Sequence, residues 1–163
     1  MPTLDSNKRR FDARPDRVDF RDRSYRARLI SLEPEHPAPS LVETYLDAYC
    51  EDGMILDQGQ EGACTGFGLA ACINFLHWER WQASKQQGPK PARVSTRMLY
   101  HMARLYDEWP GEDYDGSSCR GAMKGWHRHG VCDEALWPYR RQFTEQEQGW
   151  QQNAALRPLG AYY

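Results

Sequence analysis

The sequence has no apolar run long enough to cross a membrane. Its longest weakly polar stretch, Gly62 to Ile73, falls far short of the roughly 20 residues that a helical span needs. The basic residues of the opening "MPTLDSNKRRFDARPDRVDFRDRSYRAR" are followed by no apolar segment, so they mark neither a secretory signal nor a membrane anchor. There is no basic excess: 21 Lys+Arg stand against 23 Asp+Glu for a net charge of -2, which argues against a nucleic-acid partner. There is no CxxC pair among the five cysteines, Cys50, Cys64, Cys72, Cys119 and Cys132, and their odd number disfavours a disulfide framework as their spacing disfavours a zinc ribbon. Reduced thiols and a cytoplasmic location are therefore expected. His127, His129, Cys132 and Cys119 match no common ligand spacing, and histidines solvated at a helix C-terminus account for them as well, so neither a metal nor a cofactor is expected.

What remains is ordinary globular material: 163 residues, 40% of them hydrophobic, enough for one domain with a real core. Residues 1–39 alternate charge with single apolar residues and are rich in proline, which predicts an extended arm with little core of its own. Residues 40–163 hold the periodic patterns. Ser40 with Glu43 forms a capping-box pattern ahead of a short helix that ends near "CEDG". From Cys64 onward Phe67, Ala71, Phe75 and Trp78 recur at helical spacing with Ala70, Ile73 and Leu76 beside them, predicting a wide-faced, buried, central helix. A further helix begins near Ser95 and carries Met98, Leu99, Met102, Ala103, Leu105 and Tyr106. Another runs from about Ser118 to His129 and is closed by Gly130. Thr144 with Glu147 is a last capping-box pattern, before "QGWQQNAAL".

The segment "LDQGQEGACTGFGLAACINFLHWERW" places a thiol where a helix begins. The positive end of a helix and its unpaired N–H groups favour a thiolate, the form that attacks carbonyl carbon. Gly59, Gly62, Ala63 and Gly66 would let a substrate backbone approach closely. Gln58 is placed to donate from its amide to a developing oxyanion, with the backbone N–H of Cys64 as the second donor. A buried cysteine acting as a small hydrophobe, beside glycines that merely make the turn, accounts for the same residues.

"DQGQEGACTGFGLAA" resembles the active-site segment of papain-like cysteine peptidases, and "YDGSSCRGAMKGWHRHGVCDEALWPY" resembles the same family's substrate-cleft loop, following helix and proline-tyrosine turn. The resemblance spans residues 55 to about 140 in the family's order. It implies an α+β, papain-like fold, here the mostly helical left-hand lobe built around the helix that starts at Cys64. It implies Cys64 as nucleophile and Gln58 as oxyanion-hole glutamine. Gly116 and Ser117 fall where a backbone pair holds an extended peptide, and Cys119 falls on the wall of the main specificity pocket. Thr65 stands where the family commonly has tryptophan. Glu61 stands where secreted members have a disulfide-bonded cysteine. Both departures point to an intracellular, bacterial-type branch. No helical inhibitory prosegment is recognisable ahead of residue 55.

The family's general base is a histidine, oriented by an asparagine, about 130 to 150 residues beyond the cysteine. Only about 100 residues follow Cys64 here. His77 lies on the same helix, roughly 20 Å along at 1.5 Å per residue. His101, His127 and His129 fall on the cysteine's own side of the family's cleft. The closing "RPLGAYY" resembles the strand that crosses into the β-rich right-hand lobe. The expectation is a lobe that pairs with a second lobe or second chain carrying the catalytic His and Asn, and that takes a peptide or protein substrate. Two other functions fit the same residues: a papain-like lobe acting as a peptide-binding or inhibitory module, and an acyltransferase or amidase using the same thiol chemistry.

Overall fold

The computed structural model describes residues 10–22, 39–109, 114–139 and 145–160. Among them are the helices α1 (Pro39–Glu51), α2 (Cys64–Ala83), α3 (Thr96–Leu105), α4 (Cys119–His129) and α5 (Trp150–Ala154). Two short strands, β1 (Ala13–Arg14) and β2 (Ser117–Ser118), pair in parallel, with Ala13 opposite Ser117 and Arg14 opposite Ser118. No helix among the described residues is long and apolar enough to cross a membrane.

The middle of the fold is α3. Ser95 caps it by accepting the Met98 amide at 2.9 Å, and donates its own hydroxyl to the Trp137 carbonyl. Thr96, Arg97, Met98, Leu99, Tyr100, Met102 and Ala103 are all buried, because α3 is flanked by α2 on one side and α4 on the other. Glycines let both neighbours approach: a Cβ on Gly66 of α2 would lie 2.7 Å from the Tyr100 amide nitrogen, and one on Gly125 of α4 would lie 2.6 Å from Cβ of Met102. The main core joins Ala70 and Ile73 of α2 to Val94, Met98, Leu99, Met102, Val131 and Trp137. An isolated antiparallel bridge between Val94 and Asp133 ties the segments entering α3 and leaving α4.

Several expectations need correction. The helix that begins at Cys64 is long but not central. Its buried stripe runs through Phe67, Ala70, Ile73, Asn74 and Trp78, whereas Phe75 and Leu76 are 40% and 48% exposed. Phe75 instead packs edge-on against Tyr49 of α1, at 5.7 Å between ring centres. Leu105 is 62% exposed at the end of α3. Ser40 lies inside α1, which starts at Pro39, a residue suited to a first helical position because it has no N–H to leave unpaired. Helix α5 is entered through Gly149 at φ 87° with no side-chain cap. Thr144 lies outside the described residues. The ends of α4 agree with the sequence pattern: the Ser118 side chain accepts the Gly121 amide, and Gly130, at φ 70°, closes the helix.

Candidate active site

Loop 57–63 carries the chain into α2. The Asp57 carboxylate accepts the Gly59 amide at 3.0 Å, and Gly59 turns the chain at φ 63°. Ala63 occupies the N-cap position and offers no side-chain acceptor, so the first-turn amides of α2 lose none of their capacity to a cap. Cys64, the first residue of that turn, is half-buried and opens onto an apolar cavity of about 280 Å³. Leu69 of α2, Cys119, Ala122 and Met123 of α4, and Ala13 of the arm line it too. The start of α2 is tied to β2 by a 2.5 Å hydrogen bond between the buried hydroxyls of Thr65 and Ser117.

The described part of the arm docks into the groove between this loop and β2. The Gln58 side-chain amide donates to the Arg10 carbonyl at 2.6 Å and to the Glu61 carbonyl at 3.2 Å. Gly116 is buried against Asp12: a Cβ there would collide with the Asp12 carbonyl and the Tyr114 ring. The Tyr114 hydroxyl donates to the same Asp12 carbonyl. Ala13 and Arg14 then pair with Ser117 and Ser118. Further along, Arg14 lies 3.7 Å over the Tyr114 ring and Arg17 4.1 Å over the Trp109 ring. Arg120 of α4 donates its backbone amide to Asp16 and its guanidinium to Asp22. Residues 10–22 of the arm make this path without a helix.

Five residues singled out in the sequence, Gln58, Cys64, Gly116, Ser117 and Cys119, therefore surround one groove. Cys119 sits at its edge; the protein packed round its sulfur raises the thiol above its usual range, and Asp16 and Cys64 add to the effect. Cys132, by contrast, is fully buried, and that burial pushes its thiol up to about 11. The four described histidines are elsewhere, and His36 lies outside the described residues. His129 shares a 2.7 Å hydrogen bond with the Tyr106 hydroxyl, and the His127 ring meets the Leu159 carbonyl at 3.2 Å. The His101 ring packs 5.2 Å from Trp137, and burial lowers the proton affinity of both His77 and His101. No histidine among the described residues lines the cavity at Cys64. Among the described residues no three His, Cys, Asp or Glu side chains converge to hold a metal.

Sequence reasoning missed Ser118 as a pairing residue of the groove, and it missed the ion pair behind the loop. Glu61 receives the Arg97 guanidinium in a two-point fork, 2.8 Å at each oxygen, and the Tyr139 hydroxyl at 2.6 Å. Burial draws the Glu61 carboxyl upward, but the hydrogen bonds from Arg97 and Tyr139 outweigh it and hold the group below the usual carboxylate range. In the sequence Glu61 stood out as an acid between two glycines and as a departure from the family's cysteine, neither of which points to Arg97.

A helical lobe with a thiol at the start of its long helix, a glutamine loop before it and a short strand across the groove is a papain-like arrangement. Comparison with solved structures agrees on the fold: the chain is similar to xylellain, a cysteine protease from Xylella fastidiosa, with a TM-score of 0.62 and 22% identity over 93% of this chain. The match covers 56% of the xylellain chain. Comparisons with protein-family models and with curated proteins give no match.

Proposed function

We propose that this chain is the nucleophile-bearing lobe of a papain-like cysteine peptidase. Cys64 attacks the peptide carbonyl carbon as thiolate: the S–C bond forms and the C=O π pair moves to oxygen. The Gln58 amide and the Cys64 N–H stabilise that oxyanion. Collapse of the intermediate breaks the C–N bond, the leaving amine takes a proton, and water then hydrolyses the thioester. A histidine and the asparagine that orients it, both on a second lobe or second chain, supply the acid and base.

One observation carries the reading. The groove beside Cys64 holds an extended polypeptide, its own residues 10–14, through backbone pairing at Ser117 and Ser118 and through the Gln58 amide on a peptide carbonyl. A site that takes one extended backbone has the hydrogen bonds for another, and the missing Cβ of Gly116 gives it room. Free thiols at all five cysteines accord with a reducing compartment such as the cytoplasm. A second reading, peptide binding without turnover, is favoured by the lack of any histidine among the described residues lining the cavity.

Incubation with a peptidyl vinyl sulfone, followed by peptide mapping, tests the site. One adduct at Cys64, lost in Cys64→Ser and absent with a vinyl sulfone that carries no peptide, supports a thiol set beside a peptide groove. Labelling spread over several cysteines rejects it. Multiple turnover of a fluorogenic peptide library then separates peptidase from binding module.

A further inference from the structure

Loop 57–63 has to keep the Gln58 amide in place, and within the loop the Gln58 side chain holds to the Glu61 carbonyl at 3.2 Å. What fixes Glu61 lies behind it. Arg97, on the first turn of α3, is buried with its side chain 6% exposed, and its fork closes on both carboxylate oxygens. Its guanidinium lies 4.4 Å over the Tyr139 ring. The Tyr139 hydroxyl donates to Glu61 at 2.6 Å and sits 3.2 Å from the Gln58 backbone carbonyl. Tyr139 is itself held: its amide donates to Glu134, which also accepts the Thr96 amide, and its ring meets Phe67 of α2 edge-on at 4.6 Å.

We infer that Glu61, Arg97 and Tyr139 are positioning residues that fix the oxyanion-stabilising loop against α3. None of the three lines the cavity at Cys64. They act through Gln58, whose backbone carbonyl faces Tyr139 and whose side chain leans on the Glu61 carbonyl. A half-buried charge pair suits this task because its fork has one geometry, whereas apolar packing would let a glycine-flanked loop slide. The assignment rests on the reading of Gln58 and Cys64 given above.

The test compares two ligands of the full chain: a peptide aldehyde and the matching peptide alcohol. With the aldehyde, the Cys64 sulfur bonds to the carbonyl carbon, the C=O π pair moves to oxygen, and the thiol proton passes to that oxygen or to solvent. The alcohol occupies the groove but forms no such bond. Their affinity ratio reports oxyanion stabilisation and cancels competition from the arm. Gln58→Ala is the reference and should lower the ratio. Tyr139→Phe, which removes one hydrogen bond, should lower it by about five- to tenfold with alcohol binding unchanged. Arg97→Lys, which keeps the charge but loses the fork, should do likewise. In a Gln58→Ala background, Tyr139→Phe should have no further effect. Equal losses for both ligands, or an additive effect in that background, would overturn the assignment while leaving Gln58 in its role. If Gln58→Ala itself leaves the ratio unchanged, the oxyanion reading fails and this assignment falls with it.

Discussion

The side-chain amide of Gln58 donates a 2.6 Å hydrogen bond to the carbonyl oxygen of Arg10, 48 residues earlier in the chain. A peptide carbonyl thus already faces the group assigned to polarise a substrate's carbonyl. On the proposed reading, the arm and a peptide substrate would require the same donor and so compete for it.

Loosening the arm should speed reaction at Cys64. Arg14 and Arg17 hold it by lying over Tyr114 and Trp109, and each such contact contributes about 0.5–1 kcal/mol at a partly exposed site. The double substitution Arg14→Ala/Arg17→Ala should raise the second-order rate of Cys64 modification by a peptidyl vinyl sulfone by roughly five- to thirtyfold on that basis. Iodoacetamide, which needs no groove, should gain less. Equal acceleration of both reagents would mean that the arm shields the thiol without occupying the peptide path.

The thiols should separate by burial. Cys132 is 0% exposed and its thiol is pushed up to about 11, so it should resist alkylation at neutral pH until the protein unfolds. Cys64, open to the cavity, should be modified before it, as quenched time courses with mass mapping would record. Labelling of Cys132 at the rate of Cys64 in folded protein would contradict the packing described here.

The residues of the groove were legible in the sequence because their chemistry is local. Cys64, Gln58 and the small residues between them lie within one short segment, and Gly116, Ser117 and Cys119 within another. The starts of α3 near Ser95 and of α4 near Ser118 were readable for the same reason. The buried stripe of α2 was not. An all-round apolar helix has no preferred phase in its own pattern, and only the close approach of Tyr100 to Gly66 selects the face that Phe67, Ala70 and Ile73 share. The Glu61–Arg97 pair spans 36 residues and the contact of Gln58 with Arg10 spans 48, distances at which no spacing rule operates. The long separation also explains why Glu61 read only as a departure from a family pattern.

The crossing of α2 over α3 should be intolerant of a single methyl group. Gly66→Ala would place a Cβ 2.7 Å from the Tyr100 amide nitrogen and 2.8 Å from its Cα, and backbone cannot yield as a flexible side-chain end can. The expected loss is about 1–3 kcal/mol, measured as a lowered urea midpoint with an unchanged slope. Gly68→Ala on the same helix meets nothing within 4 Å and serves as the control, expected to be neutral or mildly stabilising. A neutral Gly66→Ala would show that the helices do not cross at this distance.

The Glu61–Arg97 pair should make stability fall in acid with a sign that the structure fixes. Although burial raises the Glu61 carboxyl, Arg97 and Tyr139 hold its folded value below the ordinary 4.5. The unfolded chain therefore binds the proton more readily than the folded one, and the pair's contribution is fully present above the ordinary carboxylate range and is lost as pH falls through the depressed folded value. Glu134, whose carboxyl is pushed upward by burial, contributes in the opposite sense. It is common to wild type and Glu61→Gln, so the difference between those two proteins isolates Glu61. Near neutral pH the variant removes the carboxylate charge that faces the Arg97 guanidinium, whose side chain is 6% exposed, a change that costs on the order of 3 kcal/mol. That difference should shrink steadily below pH 4.5, because protonation removes from the wild type the same charge that the substitution removes. Urea unfolding of both proteins from neutral pH down to about pH 3, within the range where such linkage operates, measures it directly. A difference that stays constant or widens in acid would show that Glu61 is not held as an anion by Arg97 and Tyr139.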